Sequence, residues 1–125
     1  MTTYRLKTPK EGEVKKEGNF TYKFINGKWR VIHYKCDEFE YWQEYNNKGH
    51  LIHFKNNEGF ESQRAYDDKG HLIHYKNNIG IEEWYDDKGN NIYYKDDEFE
   101  YWCEYDDKGN KITEEEFNKI WEKIE

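Results

Sequence analysis

The chain has 125 residues, with 20 Lys and Arg against 27 Asp and Glu, for a formal net charge of −7. Only 34% of residues are hydrophobic, yet aromatics alone supply 19%. That balance excludes a helical membrane protein, which needs roughly 18 apolar residues in a row. It excludes a nucleic-acid binder working by plain charge attraction and a disordered acidic chain, which would be poor in aromatics.

The length fits a single domain. Residues 1–26 form an N-terminal segment that ends in a first strand. Within it, residues 1–18 hold Pro9, Gly12, Gly18 and many charges, and are predicted to be extended or loosely packed. Residues 1–7 contain no apolar run of the signal-peptide kind, so a cytoplasmic protein is expected. Residues 19–25 and 28–34 flank Asn26-Gly27, a favoured two-residue hairpin turn.

Internal repetition governs residues 27–112. Four segments share one pattern: Val31-Ile-His-Tyr-Lys35, Leu51-Ile-His-Phe-Lys55, Leu72-Ile-His-Tyr-Lys76 and Asn91-Ile-Tyr-Tyr-Lys95. Between them come tyrosine-led turns, Tyr45-Asn-Asn-Lys-Gly49, Tyr66-Asp-Asp-Lys-Gly70, Tyr85-Asp-Asp-Lys-Gly89 and Tyr105-Asp-Asp-Lys-Gly109. The longest match runs from Lys35 to Tyr45 and reappears from Lys95 to Tyr105. Each unit of about 20 residues reads as two strands and two turns. Such quartets suit a type I turn with a left-handed glycine bulge.

The expected fold is therefore all-β, an antiparallel up-and-down meander of about nine strands. Ile52 and Phe54 project to one side of their strand, Leu51, His53 and Lys55 to the other. Both sets contain apolar groups, and a one-residue shift at the bulge swaps the partners. Ring ladders on both faces would hold an elongated, twisted sheet without a second layer. At the C-terminus, Thr113-Glu-Glu-Glu116 fits a capping box. Phe117, Ile120, Trp121 and Ile124 follow at helical spacing, which predicts a short capping α-helix over residues 113–125.

The Tyr-Asp-Asp-Lys-Gly-Asn-x-Ile turns resemble YD-type β-hairpin repeats, the units of RHS toxins. They are also similar to short tyrosine- and tryptophan-rich repeat proteins of phage and mobile-element genomes. The resemblance covers about residues 27–112. It implies a β-hairpin array and a mobile-element origin, with no catalytic residues. It departs from the RHS pattern in length, since four units cannot enclose a toxin.

Chemistry is sparse. Cys36 and Cys103 stand where the other copy has Asp96 and Gln43, and free thiols are expected. His33, His53 and His74 recur at one position, but equivalent strands lie about 9.6 Å apart, too far for one metal. The paired aspartates are explained by turn formation and lack the alternating ligands of a calcium loop. Ser62 has no nucleophile elbow around it, and no phosphate-binding loop is present. No catalytic residue, metal ligand or cofactor is expected.

What remains is surface. Glu40, Tyr41, Trp42 and Glu44, repeated as Glu100, Tyr101, Trp102 and Glu104, join Trp84 as candidate partner-binding residues. Asp86, Asp87, Asp106 and Asp107 extend them into the turns. Aromatic anchors ringed by charge are what binding hot spots use. The expectation is a non-catalytic protein-binding protein without direct nucleic-acid or membrane binding. Its sharper version is a phage or mobile-element inhibitor, anti-CRISPR-like, whose carboxylates imitate a phosphate backbone in a bacterial defence enzyme. Alternatives are a carbohydrate- or cell-wall-binding repeat module and a structural protein that self-associates, as in a homodimer through a sheet edge.

Overall fold

The computed structural model describes residues 8–112. The helix expected over 113–125 lies outside the described residues. The described chain is all-β, an antiparallel up-and-down meander in which strand order follows chain order. It divides into two compact units, residues 1–61 and 62–125.

The first unit holds β1 (Val14–Glu17), β2 (Phe20–Ile25), β3 (Lys28–Lys35), β4 (Glu40–Tyr45) and β5 (Leu51–Asn56). The predicted hairpin is present: β2 and β3 join through Asn26 and Gly27, both at positive φ, 47° and 80°. A residue with a Cβ rarely takes that conformation, and asparagine tolerates it best. The strand β1 was not expected, and it brings the count among the described residues to ten. Its Val-Lys-Lys-Glu sequence lacks apolar alternation, so nothing local announces it. It forms because β2 offers a free edge, paired from Val14↔Lys23 to Glu17↔Phe20. Lys15 then lies 4.4 Å from the Trp29 ring centroid.

The second unit contains nearly all of β6 (Glu61–Tyr66), followed by β7 (Leu72–Asn77), β8 (Glu82–Tyr85), β9 (Asn91–Lys95) and β10 (Glu100–Trp102). Glycine turns drive this pattern in both units. At Asp67, for example, the Gly70 N–H donates to the Asp67 carbonyl (3.0 Å) and the Asp67 N–H to the His71 carbonyl (2.9 Å). The Asp67 side chain accepts from the Lys69 and His71 N–H groups, at 3.0 and 2.8 Å. The glycine forms the expected left-handed bulge, and after three of these turns a further shift of one follows at Glu44/Tyr45, Ala65/Tyr66 and Trp84/Tyr85, where the pairing skips Ile52, Ile73 and Ile92. This second shift was not expected, and it decides which side chains share a face.

Neither unit has a deep core among the described residues. Among the described residues, Ile25, Tyr93 and Cys103 are the buried apolar side chains. Cross-strand rings replace a core. In the first unit Phe20, Tyr34, Tyr41 and Phe54 form a ladder with successive centroids 4.7, 5.4 and 5.6 Å apart. In the second, Tyr94 stacks on Tyr101 at 5.2 Å. Such pairs contribute about 0.5–1.5 kcal/mol beyond area burial. Among the described residues no helix is long and apolar enough to cross a membrane.

Candidate binding face

Alternation places successive side chains of a strand on opposite faces, so the candidate residues separate. In the first unit, Glu40, Trp42 and Glu44 share one face, with His33 opposite Trp42 and His53 opposite Glu44. Tyr41 lies on the other face, inside the ring ladder. The carboxylates are not a bare acidic row. Glu40 Oε2 is 2.6 Å from His33 Nε2. Glu61 Oε1 is 2.6 Å from His53 Nε2, and Glu44 Oε1 lies 3.5 Å from its Nδ1.

In the second unit, Trp84, Tyr93 and Trp102 align across β8, β9 and β10. The His74 ring stacks on Trp84 with centroids 3.9 Å apart, and Tyr93 lies 4.3 Å from Trp102. Beside this row runs a second one, Lys76, Glu82, Lys95 and Glu100, alternating in charge from strand to strand. Tyr101 again occupies the opposite face. Trp84 (42% exposed) and Trp102 (54%) stay open to solvent on this face, as Tyr101 does on the other.

The turn aspartates divide by role. Asp86 and Asp106 are the turn caps: Asp86 accepts from the Lys88 and Asn90 N–H groups, Asp106 from those of Lys108 and Asn110. Burial raises the Asp86 carboxyl, but the Asn90 and Lys88 donors outweigh it and leave it below its ordinary value. At Asp106 the Asn110 N–H leads the same downward shift. Asp87 and Asp107 follow the caps and are exposed. Glu104 is exposed, and its carbonyl accepts from the Ile112 N–H at 2.7 Å.

The histidines are the functional neighbours that sequence reasoning passed over. Each of His33, His53 and His74 meets a glutamate seven or eight residues further on, Glu40, Glu61 and Glu82. In the last repeat Tyr93 takes the place, 3.3 Å from Glu100. That repeated spacing was available in the sequence as a signal for cross-strand pairing. Both cysteines are free thiols. Among the described residues no three His, Cys, Asp or Glu side chains are grouped to hold a metal ion.

No protein-family model matches the chain, and no curated protein matches it.

Proposed function

We propose that this is a non-catalytic protein-binding protein that engages its partner through the open aromatic side of the second unit. The observation that carries this reading is the exposure of Trp84 and Trp102 on strands held by cross-strand pairing to the same residue, Tyr93. Rigid exposed indoles inside a charged surround lose little entropy on binding and are typical hot-spot anchors. Carbohydrate binding is less favoured, because the stacked His74 already covers one Trp84 ring face that a sugar would use.

The net charge of −7 favours a partner with a basic surface. A nucleic-acid-handling defence enzyme, blocked in the manner of an anti-CRISPR, is the narrower version. Phosphate imitation would rest on the exposed Asp87, Asp107 and Glu104, because the strand glutamates already face His and Lys partners.

Capture from bacterial lysate with tagged full-length protein, at low and high salt, tests both levels. The binding reading expects a partner retained by wild type and lost by Trp84→Ala and Trp102→Ala. Retention unchanged in both variants, or no retained protein, overturns it. Release of a nucleic-acid enzyme by salt supports the narrower version, and salt-insensitive retention counts against it.

A further inference from the structure

The internal duplication supplies its own control. Strand β10, continued through Cys103 to Tyr105, repeats β4 almost residue for residue. In the first unit the outer edge of β4 is covered by β5. There Lys55 stands opposite Trp42, His53 opposite Glu44, and the Phe54 ring lies 5.6 Å from Tyr41. In the second unit the covering strand starts the same way, with Lys111 bridged to Tyr105 and the Ile112 N–H on the Glu104 carbonyl. At the sequence positions of His53, Phe54, Lys55 and Asn56 the chain then has Thr113, Glu114, Glu115 and Glu116. That stretch of sequence has neither the basic nor the aromatic residue that β5 sets against Trp42 and Tyr41. Among the described residues no strand lies beyond β10.

A groove of about 490 Å³ lies at this edge, lined by Phe99, Tyr101, Trp102 and Ile112 among others. The two sheet edges differ in kind. Strand β1 carries Lys15, Lys16 and Glu17, the usual protection against strand addition. Strand β10 carries Glu100, Tyr101 and Trp102.

We infer that the β10 edge accepts an extended segment of a partner protein as an additional strand, with side chains disposed as in β5. The segment carries a basic residue opposite Trp102, between Glu100 and Glu104, and an aromatic residue that reaches Tyr101 from the other face. Main-chain hydrogen bonds supply affinity, and the alternating pockets supply selectivity. This deepens the protein-binding reading above and rests on it for the identity of the ligand as protein.

The probe is a capped synthetic peptide with the sequence of residues 53–57, His-Phe-Lys-Asn-Asn, which begins where the chain's own Lys111 and Ile112 leave off, titrated against the full-length protein. In the first unit the Asn57 N–H donates to the Glu40 carbonyl, so by alternation His53 and Lys55 also turn their main-chain groups toward β4. Binding is expected. N-methylation at the peptide's Lys55 position should weaken it by about tenfold or more, from hydrogen bonding lost at that residue. N-methylation at its Phe54 position, which faces away, should leave it unchanged. Replacing the peptide lysine by glutamate, or Trp102→Ala in the protein, should also weaken binding.

Equal effects of the two N-methyl groups would overturn strand addition, as would no binding at millimolar peptide. Protected Glu100 and Trp102 amides in the peptide-free protein would also overturn it, since the chain's own residues would then fill the groove. Lysate capture that depends on Trp84 while the peptide fails sinks this inference and leaves the binding reading standing. A bound peptide beside a blank capture does the reverse.

Discussion

Single atoms decide how well each turn closes. The glycines of the repeat are required for their positive φ, yet they are not equivalent. A Cβ on Gly59, at φ 89°, meets nothing within 4 Å, whereas one on Gly49, at φ 88°, would stand 2.2 Å from Arg30 Nη2. Arg30 lies there because its Nε donates to the Ile25 carbonyl at 3.0 Å. Alanine at either site should cost roughly 1–2 kcal/mol for the left-handed backbone. Gly49→Ala should cost about 0.5–1.5 kcal/mol more, the worth of the displaced hydrogen bond. Urea unfolding of both variants in wild-type and Arg30→Ala backgrounds would measure this. The two costs should converge when Arg30 is absent, and equal costs in the wild-type background would refute the assignment. The positive φ of Gly49 was legible from Lys-Gly alone. The Arg30 contact was not, because it joins residues nineteen positions apart through a register that no local pattern states.

Cys36 shows the same limit. Like its duplicate Asp96, it occupies a turn-capping position, and the Glu38 N–H, the Tyr34 hydroxyl and the Phe39 N–H pull its thiol below the ordinary value. Sequence comparison identified the exchange of Cys for Asp. It did not reveal that both residues face the same backbone donors.

At the scale of elements, the strands and turns could be read because each repeat is locally consistent: β-branched and aromatic residues between Asx-Lys-Gly turns. The facing partners could not, since both faces carry apolar groups and the bulge shifts the register. The split of the candidate residues, with Tyr101 on one face and Trp102 on the other, follows from alternation. The His–Glu pairing depends on that register. It yields a comparison between elements. His74 stacks on Trp84 at 3.9 Å, while His33 lies tilted at 5.5 Å from Trp42. Double-mutant cycles to alanine should give a coupling of about 0.5–1.5 kcal/mol for His74–Trp84 and less for His33–Trp42. A larger coupling for His33–Trp42 would show that the glutamate contacts, rather than ring stacking, hold these strands together.

Across the whole molecule, the two units differ in what caps their turns. The first uses Asn46 and Asn56 as side-chain acceptors. The second uses Asp67, Asp86, Asp96 and Asp106, together with Asn77. Amide oxygens do not titrate, but all four carboxyls sit below their ordinary value of 3.8. A depressed folded value means that the charged form is favoured by folding. Its stabilisation is present above the unfolded value and is lost as pH falls through the folded one. Acidification from pH 7 to below about 3.8 should therefore weaken the second unit's turns first. Hydrogen exchange at the Lys69, His71, Asn90 and Asn110 amides, corrected for intrinsic rates, should lose protection before that at Lys48 and His50. The deciding measurement is the fourfold Asp→Asn variant at positions 67, 86, 96 and 106. It keeps the Oδ1 acceptor of each cap and removes the charge. If its second unit is as acid-sensitive as the wild type's, the turn carboxylates are not the source of the difference.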